Sequence, residues 1–353
     1  MDKRSEKFLY RMLEIPSPSG YENDIQKEWM SYTKEFADRI TTDIGGNATA
    51  VLNPGSKFKI MLAGHCDEIG FVIRSIDDNG FLFFGPVGGI SHKIAPGLKV
   101  DILGKRSKVS GVIGVNAEHH GGLKEKFGYE DLFFDCGFKT KKEAEKLVSI
   151  GDYAVYRSEP VKLKNGRISS KALDNKTGSF IVAEVIKKLS GEKFKAGVYS
   201  VSTTGEEIGL QGAYFGASAL NPDIAIAVDV TWATDYPGVN TGKYGEYKMD
   251  GGPVLAKGAP VNRKINMMLE AAAKKSNIPV QIELTPRSTG TDADRIRFTN
   301  TGVPVALVSL PIRYMHSPVE TASIRTIDEV IDLLCTFIKS ITGKENFKPL
   351  DNL

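Results

Sequence analysis

Apolar residues recur along this chain with two different spacings, and the change between them divides the sequence. From Met1 to about Gly64, the spacing predicts two amphipathic helices followed by short strands, the last of which is KIMLAGH (Lys59 to His65). From about residue 168 onward, apolar runs of strand length alternate with longer helical patterns. Alternating strands and helices predict a mostly parallel sheet flanked by helices on both faces.

The middle of the sequence has a different character. From Glu68 to about Asn165, short alternating runs such as FVIRSI, LKVDILG and KVSGVIGV are separated by turn signals such as Asp-Asn-Gly and Pro-Gly. That spacing is typical of an all-β unit. One stretch rich in Lys and Glu, KTKKEAEKLVSIGD, predicts a short helix within it. We therefore expect an α/β domain built from residues 1–68 and 165–353, interrupted by a small β-barrel over residues 69–164.

The final helix has a clear amphipathic pattern. Its apolar stripe comprises Ile327, Val330, Ile331, Leu334, Ile338 and Ile341. The sequence TIDE places Thr326 at the N-cap and Glu329 at the third helical position, which predicts a capping box. Gly343 is the expected stop.

Composition narrows the class of protein. The 353 residues are 41% apolar and 25% charged, which is ordinary for a folded protein large enough for two domains. The net charge of +3, without a basic stretch interleaved with aromatics, indicates neither nucleic acid nor an anionic membrane as a partner. No signal peptide or membrane span is recognisable. Three scattered cysteines, Cys66, Cys136 and Cys335, favour a cytoplasmic location over a disulfide framework.

Polar residues at the ends of the predicted strands are the candidates for chemistry, because sites in α/β sheets gather at the carboxyl ends of strands. They are His65, Asp67, Asp174, Glu206, Glu207, Asp229 and His316. Each also has a structural explanation when taken alone. A single histidine is commonly a hydrogen-bonded core residue, an aspartate can cap a helix, and adjacent glutamates are commonly solvated. His119 and His120 fall in the barrel segment, where we expect a surface or interface role.

Taken together, these residues indicate metal binding. Several carboxylates at one sheet edge would repel one another strongly unless cations neutralised them. Mixed imidazole and carboxylate ligands suit zinc, cobalt or manganese better than calcium or magnesium. Two metals need a bridging carboxylate and about two further ligands each. The set that supplies this count is His65, Asp174, Glu207, Asp229 and His316, with Asp174 as the bridge.

Two carboxylates of the cluster are left for other roles. Asp67 lies two residues after His65, so in an extended chain both side chains point to the same face and Asp67 can orient the imidazole. Glu206, beside the ligand Glu207, is free to take a proton from a metal-bridged water and to hand it to a leaving group. The sequence therefore predicts two divalent ions per subunit and a hydrolytic reaction.

Six segments resemble a known family. They are AGHCDEIGF, KALDNKTG, TTGEEIGLQGA, AVDVT, STGTDADRI and RYMHSPVE. In this order and nearly end to end, they resemble the M42 metallo-aminopeptidases, which include the TET, deblocking and glutamyl aminopeptidases. The resemblance implies a zinc-exopeptidase-like α/β fold and an enzyme that removes amino-terminal residues from peptides. It also implies a PDZ-like barrel used for dimerisation, and dimers that assemble into a dodecamer.

The resemblance also divides the ligands between the metals. His65 and Asp229 correspond to the ligands of one ion, and Glu207 and His316 to those of the other. Asp174 corresponds to the family's bridging aspartate, Glu206 to its general base and Asp67 to its orienting aspartate. STGTDADRI corresponds to a pocket or subunit-contact loop. The chain departs from the family at Cys66, where a larger apolar residue is expected, and in NAEHHGGLKEKFGYEDLFFD, which affects the expected subunit contacts more than the chemistry.

Other functions remain open on the sequence alone. A related metal amidohydrolase could act on N-acyl amino acids, and a non-catalytic relative could retain the fold, although Glu206 has no structural purpose there. Relatives labelled as glucanases are a weaker alternative, because glycosidases use two carboxylates without histidine-bound metal. The preference for a first residue is not fixed either. Arg287, Arg295 and Arg313 all lie near the site segments, and any of them would favour acidic substrates.

Overall fold

The computed structural model of the protein describes residues 1–352. Its α-helices are Lys3–Glu14 (α1), Asn23–Thr33 (α2), Lys141–Ala144 (α3), Leu173–Leu189 (α4), Gln211–Leu220 (α5), Thr241–Tyr244 (α6), Arg263–Lys275 (α7), Ala293–Ile296 (α8) and Ile324–Ser340 (α9). Its β-strands are Arg39–Thr42 (β1), Ala48–Leu52 (β2), Lys59–His65 (β3), Gly70–Ile76 (β4), Leu82–Val87 (β5), Lys99–Leu103 (β6), Lys108–Ile113 (β7), Phe133–Asp135 (β8), Tyr153–Tyr156 (β9), Val161–Leu163 (β10), Arg167–Ser170 (β11), Gly197–Thr203 (β12), Ile224–Trp232 (β13), Val254–Lys257 (β14), Gln281–Leu284 (β15), Val305–Ile312 (β16) and Glu320–Ser323 (β17).

An eight-stranded sheet forms the centre of the α/β part, in the order β1-β2-β12-β3-β13-β16-β14-β15. Its middle strands β12, β3, β13 and β16 are parallel, while β1, β2 and the β14–β16 pair add antiparallel neighbours. Alternate residues of β3 pack on opposite faces: Ile60 and Leu62 join one apolar cluster, and Met61 and Ala63 join another. The predicted sheet with helices on both faces is confirmed, and it is mixed rather than wholly parallel.

A closed barrel lies between β3 and β10 in the chain, in the strand order β4-β5-β8-β7-β6-β9 with antiparallel neighbours. Its core is aromatic: the rings of Phe84 and Phe134 stack 4.0 Å apart, and Phe71 meets both edge-on. The predicted barrel is confirmed, and α3 is the short helix expected within it. β10, β11 and β17 form a separate three-stranded sheet.

The predicted start of the last helix is wrong. Helix α9 begins at Ile324, with Ser323 as an N-cap residue whose side chain makes no capping bond. Thr326 lies inside the first turn, where its hydroxyl donates to the backbone oxygen of Met249 at 3.0 Å. Because Thr326 is buried and has this tertiary partner, it has no capping role, and the helix starts where β17 ends. The apolar stripe of this helix is buried as predicted.

The contact between β3 and α4 places the residues that matter for function. Gly64 lies directly against the backbone of Gly178: a Cβ atom at residue 64 would come within 2.4 Å of the Gly178 carbonyl carbon. This close approach brings the first turn of α4 beside the carboxyl end of β3. Within residues 1–352, no helix has the length and apolar character needed to cross a membrane.

Candidate metal centre

The seven predicted site residues meet at the carboxyl edge of the large sheet. His65 ends β3, Asp229 lies near the end of β13, and Asp174 lies in the first turn of α4. The pair Glu206 and Glu207 follows β12, which runs parallel to β3 with Thr203 opposite His65. His316 lies in the loop between β16 and β17, and Asp67 follows β3 directly beneath the pair of glutamates. The structure therefore brings together residues that are up to 251 positions apart in the chain, from 65 to 316.

Asp174 stands between the two histidines. Its Oδ1 is 3.4 Å from Nε2 of His65, and its Oδ2 is 3.2 Å from Nε2 of His316. Each oxygen of one carboxylate thus faces a different imidazole nitrogen. This is the arrangement that a carboxylate bridging two cations requires.

The remaining donors fall on the two sides of Asp174. On one side, Oδ1 of Asp229 is 3.9 Å from Nε2 of His65; on the other, Oε1 of Glu207 is 3.5 Å from Nε2 of His316. In each set, one donor atom per residue lies within 4.8 Å of the others, and Asp174 belongs to both sets. Glu206 is also close, with Oε2 at 3.7 Å from Nε2 of His65. These imidazole and carboxylate donors fit a pair of divalent transition-metal ions.

Asp67 fixes the turn that carries the two glutamates. Its carboxylate accepts hydrogen bonds from the backbone nitrogens of Glu206 at 3.1 Å and Glu207 at 3.2 Å, and from the Ser19 hydroxyl at 2.6 Å. Nδ1 of His65 lies 3.1 Å from the backbone oxygen of Asp67 and 3.4 Å from its Oδ1. One buried carboxylate therefore positions both the imidazole and the glutamate turn.

Glu320 is a buried neighbour of the site that the sequence analysis missed. Its carboxylate accepts from the backbone nitrogen of Asp174 at 3.0 Å and from that of His316 at 2.7 Å. These two residues lie far apart in the chain, so Glu320 fixes the position of one relative to the other. The only sequence signal was its place four residues after His316 in HSPVE, which by itself indicates no contact with Asp174.

A network of buried charged side chains lies beside the first turn of α4. The ammonium groups of Lys171 and Lys176 each lie 2.7 Å from Oε1 of Glu68, and Lys176 also donates to the Ile15 backbone oxygen at 2.6 Å. All three charged side chains are nearly or completely inaccessible to solvent. Lysine side chains usually lie at the protein surface, so the sequence gives no signal that these two are buried. Their burial beside Glu68 is visible only in the tertiary structure.

The protonation equilibria of the cluster show an excess of negative charge. Burial raises the pKa of Glu206 to about 10, and repulsion from Asp229 adds to the shift. Burial also raises the pKa of Asp229 well above its usual value. Burial lowers the pKa of His316, but hydrogen bonds to Asp174 and Glu207 outweigh it and raise the pKa to about 11. The cluster therefore favours added positive charge, which divalent cations supply more effectively than protons.

The cluster opens into a cavity of about 280 Å³. Beyond the predicted residues, its walls are formed by Val230, Thr231, Trp232, Glu283, Thr289, Gly290, Thr291, Leu307, Ser309 and Met315. Part of the STGTDADRI segment therefore lines the pocket, which is one of its two expected roles. The barrel also reaches the site, since Nδ1 of His316 is 3.1 Å from the backbone oxygen of Gly89.

The three arginines considered for substrate selection lie away from this cavity. Arg287 and Arg295 are exposed, and Arg313 is paired with Asp235 at 2.9 Å. Over residues 1–352, neither lysine nor arginine lines the cavity. The expectation that one of these arginines selects an acidic first residue therefore has no support in the geometry.

Two other residues singled out in the sequence have ordinary environments. Cys66 is completely buried in the core beneath the sheet edge, and burial raises the pKa of its thiol, so it packs rather than reacts. His119 and His120 are exposed in the barrel segment and do not line the cavity.

The sequence profile described as M42 glutamyl aminopeptidase matches residues 46–333. The chain belongs to the M42 peptidase family. Family membership confirms the resemblance drawn from the six segments, and it makes the protein a metallopeptidase whose cluster of histidines and carboxylates is suited to divalent ions.

Relatives within the M42 family match over nearly the whole chain. The lysyl aminopeptidase of Pyrococcus furiosus is 33% identical over 97% of this chain and 97% of its own. An aminopeptidase structure from Desulfurococcus kamchatkensis superposes with a TM-score of 0.90, at 32% identity, covering 97% and 96% of the two chains. The Pyrococcus horikoshii TET1 peptidase, described as assembling into a tetrahedron or a large octahedral shell, has a TM-score of 0.84 at 30% identity, covering 96% of this chain and all of its own.

Proposed function

This M42 protein is an aminopeptidase, and we propose that its active site holds two divalent metal ions. The ligands are His65 and Asp229 for one ion and Glu207 and His316 for the other, with Asp174 shared between them. The observation that carries the proposal is the position of Asp174, whose two oxygens face the two imidazoles at 3.4 and 3.2 Å. A purely structural carboxylate needs no such symmetric placement between two histidines.

Zinc, cobalt or manganese suits this donor set, because it combines imidazole with carboxylate oxygen. When bound in pairs, such ions lower the pKa of a water molecule and polarise a carbonyl oxygen. The protein's own contribution is to hold the ligands rigidly. Asp67 and Glu320 do so through the hydrogen bonds they accept from the backbone of the ligand-bearing turns.

Glu206 is the general base in this proposal. It lines the cavity beside His65 and lies at the end of the turn that Asp67 fixes. Its carboxylate accepts a proton from the attacking water and then donates that proton to the departing amine, so no net proton is consumed. Burial raises the pKa of Glu206, and positive charge nearby lowers it, so a bound cation would let Glu206 ionise and accept a proton.

The geometry also favours cleavage at the first peptide bond. The cavity is small, and the carboxylate cluster forms part of its wall. A free amino terminus has a nitrogen lone pair that one of the two ions would bind, whereas the interior amides of a peptide have none to offer. Binding of the amino terminus would place the first carbonyl beside Glu206 and restrict cleavage to the first bond.

The test combines metal content with turnover. Purified protein treated with a chelator and reloaded with zinc, cobalt or manganese is assayed on aminoacyl-p-nitroanilides, with bound metal measured by mass spectrometry. We expect about two ions per subunit and activity that disappears and returns with them. Glu206→Gln should retain the metal and lose about 10²–10⁴-fold in kcat. Turnover near the wild-type rate in that variant would remove Glu206 from its role.

The alternatives have less support from the site. N-acylated amino acids lack the free amino group that a metal ion would bind, and a sugar substrate leaves the histidines without a purpose. N-acetyl-amino acids and a soluble glucan serve as comparison substrates in the same assay. Faster hydrolysis of either than of a free aminoacyl amide would replace the aminopeptidase proposal.

We also propose a homo-oligomer of dimers that assemble into a dodecamer. In this proposal, residues 1–68 and 165–353 form the catalytic domain, and residues 69–164 form the barrel. The barrel makes the contacts between the two subunits of a dimer. Val112, Val115 and Leu123 support this because they expose apolar side chains in the barrel segment. Light scattering gives the assembly mass, and Val115→Glu together with Leu123→Glu should reduce it. An unchanged mass would place the contacts elsewhere.

A cytoplasmic location completes the proposal. Cys66, Cys136 and Cys335 are all free thiols, as a reducing compartment favours. Fractionation of the source cells followed by immunodetection tests it, and recovery of the protein outside the cytoplasm would overturn it.

A further inference from the structure

One ionisable side chain in the cavity wall has no part in the proposed chemistry. Glu283 lies on β15 at the edge of the large sheet, and its side chain is largely shielded from solvent. Its Oε1 accepts a hydrogen bond from the Thr231 hydroxyl at 3.1 Å. Thr231 follows Asp229 by two residues on β13, so this bond connects Glu283 to the strand that carries a proposed metal ligand.

Glu283 has no cationic partner within residues 1–352. The basic side chains in neighbouring segments are engaged elsewhere: Arg313 pairs with Asp235, Lys257 with Glu270, and Lys248 with Glu246. Burial raises the pKa of the Glu283 carboxyl, and the bond from Thr231 offsets only part of that shift. A shielded carboxylate without a counter-ion is unfavourable unless a ligand supplies the missing charge.

The rest of the pocket wall suits an aliphatic chain. Trp232, Leu307 and Met315 line the cavity that Glu283 and the metal cluster share. A lysine side chain combines four methylenes with a terminal ammonium, so its stem can cover apolar surface while its head reaches a carboxylate. An acidic first residue would instead bring a second negative charge toward Glu283, and a purely apolar one would leave Glu283 unpaired.

We propose that Glu283 is a specificity-determining residue that pairs with the cationic side chain of a basic first residue, lysine above all. The inference rests on the proposed aminopeptidase function and adds its substrate class. This inference stands in place of the earlier expectation that an arginine selects acidic first residues, because the charged side chain in the pocket wall is a glutamate.

The test compares kcat/KM for lysyl-, methionyl- and glutamyl-p-nitroanilide on the metal-loaded protein. Methionine is unbranched and uncharged, so it matches the lysine stem without its cation. We expect the wild type to prefer lysyl over methionyl and to be slowest on glutamyl. Glu283→Gln preserves the size of the side chain and an acceptor for Thr231. It should reduce kcat/KM for the lysyl substrate by about 10–100-fold while leaving the methionyl value within about twofold.

Glu159→Gln is the matched control, because Glu159 is an exposed glutamate that does not line the cavity. It should leave all three values unchanged. Metal content and thermal unfolding of both variants are measured alongside, so that a general loss of structure is not mistaken for a loss of selectivity.

A second readout does not depend on turnover. Calorimetric titration with free L-lysine and L-norleucine should show tighter binding of lysine to the wild type, and Glu283→Gln should remove that difference. Hydrolysis with no lysyl preference, or a preference that survives in Glu283→Gln, would overturn the inference while leaving the aminopeptidase proposal intact. Failure to hydrolyse any aminoacyl substrate with two metals bound would overturn both.

Discussion

The carboxyl edge of the large sheet and the interior of the barrel are both closed to solvent, yet they contain opposite kinds of side chain. At the sheet edge, His65, Asp67 and Asp229 are at most 5% exposed, and their neighbours are again ionisable. In the barrel, Phe71 and Phe84 are completely buried among other aromatic and aliphatic side chains. The sheet edge contains buried charges that need compensation, whereas the barrel interior contains apolar side chains.

The barrel interior contributes to the stability of the fold, whereas the sheet edge provides the groups for chemistry. Aromatic packing in the barrel lowers the free energy of the folded chain directly. The buried carboxylates of the sheet edge oppose folding unless hydrogen bonds, lysines or cations neutralise them. The two regions meet where His316 approaches the backbone of Gly89. A stable barrel can therefore hold this backbone in a fixed position beside the metal centre. Substitutions should therefore have different consequences in the two regions.

The largest effect is expected at the shared ligand. Asp174→Asn should lower metal affinity more than the 10–100-fold that loss of an outer partner produces, and activity should fall with it. The reason is that one carboxylate serves both halves of the site. Metal content and kcat/KM are the measurements, with the exposed Asp78→Asn as control. Full metal occupancy in the Asp174 variant would contradict its bridging position.

The next effect belongs to the barrel. Phe84→Ala removes a fully buried ring that stacks on Phe134, and should reduce the free energy of unfolding by about 3–5 kcal/mol. Phe83→Ala, on the same strand but only partly buried, should lose much less. Denaturant titration measures both. Equal losses would show that the interior of the barrel is not the source of its stability.

A comparable effect is expected from the charge network under α4. Burial alone would raise the pKa of Glu68, but Lys171 and Lys176 lower it to about 2 from its ordinary value of 4.5. A carboxyl with a lowered folded-state pKa contributes its stability above pH 4.5 and loses it as the pH falls toward 2. Glu68→Gln should therefore lose about 3 kcal/mol at neutral pH and much less near pH 2.

Urea denaturation at a series of pH values measures that difference. The exposed Glu192→Gln serves as control and should follow the wild type throughout. A difference between wild type and Glu68→Gln that stays constant from pH 5 to pH 2 would be inconsistent with the network.

The smallest of these effects is expected at Glu320, which acts through other residues. Glu320→Gln keeps one acceptor oxygen but points an amide donor at a backbone nitrogen of Asp174 or His316. We expect metal affinity to fall about 10–100-fold with little change in global stability. Metal titration of the folded variant decides the matter. A change in unfolding free energy alone would make Glu320 structural rather than positioning.

Local sequence patterns were sufficient for the main elements and for the candidate site residues that the structure brings together. Period-two and period-3.6 spacing predicted the strands and long helices, because burial of one face constrains residues only a few positions apart. Polar residues after apolar runs or at strand-to-helix turns then indicated His65, Asp174 and Glu207 as candidates. The capping box at Thr326 failed for the converse reason, since a tertiary partner, Met249, competes for its hydroxyl.

Long-range contacts were beyond the reach of the sequence. It determined by itself the type of the main strands and long helices, the separate barrel segment and the kinds of donor available to a metal. Only the tertiary structure decided that Glu320 holds Asp174 and His316, that Glu68 is buried between two lysines, and that a glutamate rather than an arginine lines the pocket. Those outcomes depend on distances between residues remote in the chain, which are set by the packing of α4 against β3 and of the strands beside one another.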